Sequence, residues 1–477
     1  MRLEKEIATV LESQNYTLNN IICDTLKKFK LATLCNQVGI VKEAGISPVD
    51  IITLLLALPL MALKNVHQLY KSKYVNQAAM QKDTIYRLKN NERYSWRSLL
   101  YAVAKKYKGL TKSEESTNGK TTAFIIDDTT DQRTGYKIEN ISYVFDHILK
   151  KTIFGFKILL LAFNDGTTTT PLDFTVHTEK KLEHKKAKKQ YKKDVSPKSH
   201  GGKRRKEAQT PKPAQAIAMI KRAVKHGYIA QYVLCDAWFT SRELIKEIRA
   251  IKNGGMHVIA GIRNGTQKYL FGDSRINAKE LIALLKKEGT ERRNRSLNIR
   301  YFEAVVEYAD IGKVKLFMCR YPGQKQWRVF ISTDTTLSMT ETMKIYGIRW
   351  SIEVLFREAK QYLQLGACQS QDFDAQIASI TITFMLYTFL TYLKRRNSYE
   401  TLGELHRLIN QDIIEKTLAE RLWILFEELL QFIIDEISLN GSMDILLLRK
   451  TKEFQYIKEV FESSFLFDQF DSVKKAS

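Results

Sequence analysis

The densest chemistry in the chain is the run Tyr346-Gly-Ile-Arg349-Trp-Ser-Ile-Glu353, followed by Lys360. On an α-helix each residue advances about 100°, which places Arg349, Glu353 and Lys360 at about −60°, −20° and −40° relative to Tyr346. A phenol, a guanidinium, a carboxylate and an amine then share a stripe about 60° wide and about 21 Å long. Ile345, Ile348, Ile352, Phe356, Ala359 and Leu363 fall on an adjacent stripe, so one side is committed to a core and its neighbour presents the polar groups. A carboxylate flanked by two cations suits a metal ligand beside phosphates, because Arg grips a phosphate through two bonds and Lys adds a compact charge. Read alone, the helix is equally an amphipathic one with an Arg349–Glu353 pair at i,i+4.

Two more acids shift that balance. Asp128 in IIDDTT is read just past the apolar run Ala123–Ile126, and Asp236 in VLCDAW just past Ile229–Cys235. Each alone suits a strand-end turn or cap. Taken with Glu353 in one basic chain, they are harder to assign to turns and caps alone.

The elements around these acids follow from texture. Residues 1–112 have apolar residues at helical spacing, and Leu26–Ser47 reads as two short helices around Gly39, a pattern compatible with a helix-turn-helix that binds DNA ends. Thr111–Lys120 is a polar linker. Residues 121–255 then read as strand Ala123–Ile126, strands Phe156–Phe163 and Pro171–His177 around the turn Asn164-Asp165-Gly166, helix Ala214–His226 and strand Ile229–Cys235. That order predicts an α/β, RNase H-like mixed sheet covered by helices. Residues 256–338 read as a β-rich insertion, with strands at His257–Ile262, Gln267–Phe271, Ile299–Tyr308, Val314–Arg320 and Arg328–Ser332, helix Ala278–Lys287, and turns at Asp310-Ile311-Gly312 and Pro322-Gly323. Residues 339–400 return to the core and carry the third acid. Residues 401–477 form a helical C-terminal region in which Leu418–Ile437 has apolar runs suited to contact between protomers or to packing within one.

Lys and Arg number 76 against 52 Asp and Glu, a surplus of +24 that predicts a polyanionic partner, nucleic acid first. Between Lys180 and Lys206 lie thirteen Lys or Arg and two acids, a basic loop (178–212) whose Lys203, Arg204 and Arg205 are candidate phosphate contacts. Five widely spaced cysteines without a C-x-x-C pair argue against a disulfide framework or a zinc ribbon and for a reducing cytoplasm. The apolar runs Ile51–Leu63, which contains Pro59, and Ile377–Leu393, which holds four threonines and a serine, read as buried helices, so no membrane partner is expected.

The spacing Y-x2-R-x3-E-x6-K resembles the signature of DDE transposases of bacterial insertion sequences, the insertion-sequence-four group. IIDDTT looks like that group's first-aspartate motif, in which the acid before Thr-Thr is catalytic, selecting Asp128 over Asp127. CDAWFT resembles the second-aspartate motif. The likeness runs from Phe124 to Lys360. It implies two Mg²⁺ or Mn²⁺ ions on Asp128, Asp236 and Glu353, with Tyr346, Arg349 and Lys360 on phosphates. It implies cut-and-paste transposition of double-stranded DNA through a hairpin intermediate, acting as a homodimer or higher multimer that pairs element ends before joining them to target DNA. Trp327 stands where a relative holds a flipped base on a tryptophan, although a packing role at a strand start is the preferred reading. Two other readings use the same fold: a structure-selective nuclease, which needs the acids but not the Tyr-Arg-Lys escort, and a domesticated DNA-binding protein without the reaction.

Overall fold

The computed structural model describes residues 18–71, 81–112, 120–146, 149–179, 184–263, 265, 267–397, 399–411, 426, 449–452, 454–456 and 458. The chain divides into two units, one of Met1–Lys28, Ile52–Lys82 and Leu393–Ser477, the other of Phe29–Ile51 and Asp83–Tyr392. Every residue of the candidate site belongs to the second.

That unit is organised on a sheet of twelve strands among the described residues. The first half contains β1 (Ala123–Gln132), β2 (Ser142–Asp146), β3 (Lys151–Asn164), β4 (Thr169–His177), β5 (Tyr232–Cys235) and β6 (His257–Ile262). β3 lies antiparallel to β1, whereas β5 is parallel to β1 and β6 parallel to β5. Parallel neighbours need crossover connections. The chain supplies them as helices, numbered in the order given below. This is the RNase H-like mixed sheet that the order of elements predicts.

The remaining strands are β7 (Lys268–Phe271), β8 (Ser274–Asn277), β9 (Arg292–Asn294), β10 (Ile299–Tyr308), β11 (Gly312–Arg320) and β12 (Arg328–Ser332). They build no separate sheet. β12 pairs antiparallel with β6, and β11, β10, β7 and β8 follow outward in one continuous sheet. The predicted turns fall where glycine is required: Gly166, Gly312 and Gly323 all have positive φ, at 86°, 90° and 73°.

Helices preceding the sheet are α1 (Leu18–Phe29), α2 (Leu31–Gln37), α3 (Pro48–Leu60), α4 (Val66–Lys71), α5 (Lys82–Lys89) and α6 (Trp96–Thr111). The helix-turn-helix expected within Leu26–Ser47 is not formed. α2 ends at Gln37, and Gly39 and Gly45 turn the chain through φ of 74° and 84°, so no second helix begins before Pro48. Between β4 and β6 lie α7 (His184–Ala187), α8 (His200–Ala208), α9 (Lys212–Lys225) and α10 (Arg242–Ala250). α9 and α10 present Ala216, Met219, Ile220, Leu244, Ile245 and Ile248 to Phe124, Ile126, Val233 and Val258, which forms the main core on one face of the sheet. α11 (Ala278–Lys287) covers the outer strands on the same face.

After the sheet come α12 (Met339–Gly347), α13 (Trp350–Tyr362) and α14 (Phe373–Asn397). A single helix was expected across Tyr346–Lys360. Two form instead, joined through Ile348 and Arg349, where the amides of 348, 349, 351 and 352 all bond to the carbonyl three residues back. Gly347, poor in helix propensity, sits at the joint. Three-residue turns bring i and i+3 into line, which places Tyr346 and Arg349 on one side of the joint. α14 contains the apolar run Ile377–Leu393; it is long and apolar enough to cross a membrane, yet 94% of its most apolar window is buried inside the protein. Thr381 and Thr388 satisfy their hydroxyls on carbonyls four residues back. Residues 113–119 of the linker, and Leu418–Ile437 apart from Phe426, lie outside the described residues.

The β1–β3 pairing is tight at one point. A Cβ on Gly155 would stand 2.2 Å from the Asp131 carbonyl oxygen. Gly155→Ala is therefore expected to destabilise the fold by about 1–3 kcal/mol through overpacking, read as a lower urea midpoint with an unchanged slope. An unchanged midpoint would show that the strands can part there without cost.

Candidate active site

The strand β1 runs further than its apolar residues suggest, to Gln132, so Asp127 and Asp128 both lie inside it. Successive side chains of a strand point to opposite faces. Asp128 therefore follows Ile126 to the face covered by α9, where Lys212 Nζ reaches it at 2.8 Å and Lys157 Nζ at 3.5 Å. Asp127 points to the other face, toward α13.

Register decides what Asp127 meets. β1 and β5 are parallel with Ile126 opposite Cys235, so the next residues along, Asp127 and Asp236, are neighbours at the C-terminal edge of the parallel strands. Asp236 is held by an Asx turn: its Oδ1 accepts from the amides of Trp238 at 2.9 Å and Phe239 at 3.3 Å. From the joint before α13, Arg349 Nη1 donates to Asp127 Oδ2 at 3.0 Å, and its Nη2 donates to Glu353 Oε1. The ring of Tyr346 packs on Phe330 with centroids 5.0 Å apart, and the Arg349 guanidinium lies 5.7 Å from the Tyr346 ring centre. Two turns beyond Glu353, Lys360 Nζ donates to the Thr130 carbonyl at 2.7 Å.

The electrostatics follow from that crowding. Burial, and then the neighbouring charge of Asp236, push the Asp127 carboxyl up to about 7, with Arg349 opposing. Burial pushes the Tyr346 phenol up to about 12. Among the described residues no three acidic, His or Cys side chains are gathered as a ready ligand set. The reason is visible: a guanidinium stands between Asp127 and Glu353. The donor set still fits a hard divalent cation, since three carboxylates are the oxygen ligands such ions take and the Asp127–Asp236 repulsion is the kind a cation relieves.

Of the residues singled out in the sequence, Asp236, Tyr346, Arg349 and Glu353 come together, and Lys360 lies along the same helix. Asp128 does not join them. Its place is taken by Asp127, because the acids belong to the strand rather than following it. Arg204 and Arg205 do not face outward as phosphate contacts. Arg204 is buried against Phe174 and bonds its carbonyl, and Arg205 forks onto Glu139 at 2.7 Å and Asp374 at 2.9 Å. Segment 200–208 is an ordered helix, and of the three only Lys203 is exposed. Trp327 packs on Phe302 with ring centres 5.0 Å apart, and Arg320 lies 5.0 Å from its ring centre. Sequence reading passed over Trp238, 39% exposed two residues after Asp236, with Lys212 Nζ 4.0 Å from its ring centre. It also passed over a cleft of about 600 Å³ on the outer strands, lined in part by Arg293, Arg300, Arg320 and Lys325.

Residues 207–389 match the family model described as a transposase DDE domain, and residues 61–281 match that of a DDE superfamily endonuclease. The first match contains Asp236 and Glu353, the second Asp127 and Asp236. Together they support a nuclease-type enzyme of the DDE transposase kind. No curated protein matches the chain. Among solved structures, the NurA nuclease from Sulfolobus solfataricus aligns at 13% identity and TM-score 0.22, over 57% of this chain and 86% of that one. The Drosophila P element transposase strand transfer complex aligns at 10% identity and TM-score 0.23, over 94% and 98%. Scores this low carry no argument.

The state of Asp127 makes a pH prediction for metal-free protein. A carboxyl raised from 3.8 to about 7 binds its proton more tightly folded than unfolded, so stability falls as pH rises through that window. Asp127→Asn is expected to remove the decline and to be more stable than the parent at pH 8 by on the order of 2–4 kcal/mol, with no gain at pH 3. Urea unfolding in EDTA at the two pH values measures it; parallel pH profiles would mean that Asp127 is not held above its ordinary pKa.

Proposed function

We propose that this chain is a DDE transposase that cuts and rejoins DNA, with Asp127, Asp236 and Glu353 as the acids that hold two Mg²⁺ or Mn²⁺ ions. The observation that carries the reading is the placement of Asp127 beside Asp236 on adjacent parallel strands, with Arg349 tying Asp127 to Glu353. Asp127, Asp236 and Glu353 would hold the two ions, whose Lewis acidity would supply activation of an attacking water or 3′-hydroxyl and stabilisation of the leaving oxygen. The protein's own groups do the rest. Asp236, fixed by its two amide bonds, supplies an oriented carboxylate. Arg349 exchanges its carboxylate partners for a phosphate when DNA arrives, which frees Asp127 and Glu353. Tyr346 braces the guanidinium, and Lys360 holds a phosphate further along the strand.

The Tyr-Arg-Glu-Lys spacing favours transposition of an insertion sequence through a hairpin, with a multimer pairing two ends. A hairpin requires a base out of the stack. Trp238, exposed beside Asp236, is better placed to receive it than Trp327, which is engaged with Phe302 and Arg320. The cationic cleft at Arg293, Arg300, Arg320 and Lys325 supports a duplex as partner, although Arg300 and Arg320 also lie near Glu291.

Purified protein with Mg²⁺ and DNA bearing candidate element ends is expected to nick and then form hairpins on denaturing gels. Asp127→Asn, Asp236→Asn and Glu353→Gln should each lower the rate at least about a thousandfold with DNA binding retained, while Asp128→Asn stays within about tenfold. Loss of cleavage in Asp128→Asn with activity kept in Asp127→Asn would reverse the assignment. Nicks without hairpins would favour a nuclease.

A further inference from the structure

The helices α6 and α8 both pack against β4, and their first turns meet at a second cationic place. A cavity of about 240 Å³ is lined by Ser95, Trp96, Arg97 and Ser98 from the start of α6, by His200, Lys203 and Arg204 from the start of α8, and by Arg222 and His226 of the α9 end. Asp374 also borders it, already held by Arg205 at 2.9 Å and Lys193 at 3.0 Å.

Three guanidiniums here share two carboxylates. Arg97 and Arg222 each reach the fully buried Asp173 at 2.7 Å, and both also reach Glu207, at 2.6 and 3.1 Å. Arg204 is left over. Its Nη1 bonds the Phe174 carbonyl and lies 3.4 Å from Glu207, but its Nη2 is buried with no hydrogen-bond partner. The indole Nε1 of Trp96 is in the same condition. Both side chains are more than nine-tenths buried, with residue exposures of 6% and 3%. A buried donor without an acceptor costs roughly 1–3 kcal/mol, more when charged. The positive ends of two helices point at the same place, each more than eight residues long. Burial and the cations Lys203, Arg204 and Arg97 hold His200 below its ordinary pKa, and burial does most of the same for His226. Each observation describes a site short of negative charge and of acceptor oxygens.

We propose that this cavity binds a phosphate group, with Arg204 and Trp96 as the donors that complete it and Arg97, Arg222 and Lys203 supplying charge. A phosphate offers enough acceptor oxygens for both idle donors and the charge that three arginines lack. The site is separate from the carboxylates around Asp127 and does not depend on the reaction proposed for them. A DNA backbone phosphate and a free phosphate compound share this chemistry.

Calorimetric titration of the full chain with inorganic phosphate, in EDTA and at constant ionic strength, tests the site. One saturable event per chain is expected, weakened at least about fivefold by Trp96→Phe, which removes one donor and keeps the ring, and at least about tenfold by Arg204→Gln. Should Arg204→Gln lose its circular dichroism signal, Trp96→Phe alone decides. Binding of duplex DNA as salt is varied identifies the source. A salt slope reduced by about one in Lys203→Gln, with phosphate competing, means a backbone phosphate; an unchanged slope in Lys203→Gln beside a weakened phosphate isotherm means a free compound. No saturable event beyond a chloride control, or equal affinity in parent and Trp96→Phe, overturns the proposal.

Discussion

Two carboxylates forced side by side by strand register are the constraint from which the site follows. Ile126 opposite Cys235 leaves Asp127 and Asp236 no choice but adjacency at the sheet's edge. Like charges so close in a half-buried place are unfavourable, and the protein relieves them with one guanidinium. Arg349 reaches Asp127 from the joint between α12 and α13, which tightens into three-residue turns. The same cation draws Glu353 in from four residues away. A cluster of this kind is a poor way to stabilise a fold, and it suits the ion site proposed for it.

Opposite this face, the sheet repeats the tactic with the charges reversed in surplus. Lys212 and Lys157 surround Asp128, and Lys212 also reaches Glu179 at 3.1 Å. Further along α8 and α9, arginines outnumber the acids they share. The chain thus carries its basic surplus in two ways: spread over the outer strands, where it meets solvent, and packed between helices, where each arginine has a geometric task.

Much of this was legible beforehand. The three strands His257–Ile262, Ile299–Tyr308 and Arg328–Ser332 and the helix Ala278–Lys287 stand where their apolar patterns put them, and glycines mark the turns. The polar stripe from Tyr346 to Lys360 was readable because helical spacing survives a small kink. What was lost had physical causes. β1 continues through Asp-Asp-Thr-Thr-Asp, although aspartate is poor in strands, because pairing with β3 on one side and β5 at its start outweighs local preference. Ending that strand early hid the alternation that separates Asp127 from Asp128. Arg204 and Arg205 were read as phosphate contacts on a basic loop because a sequence shows their charge and not Glu139, Asp173 or Asp374, which come from distant stretches.

Continuity between β6 and β12 gives the molecule a ruler. From β5, which leads into Asp236, four inter-strand steps of about 4.8 Å lead to β10, so Arg300 stands about 19 Å across the sheet from that strand. Hydrogen-bonded strands do not slide sideways, and that span is set by strand count rather than by loop length. Lengthening a hairpin here would extend the reach along the strands; only adding or removing strands would change the gap between Arg300 and the carboxylates.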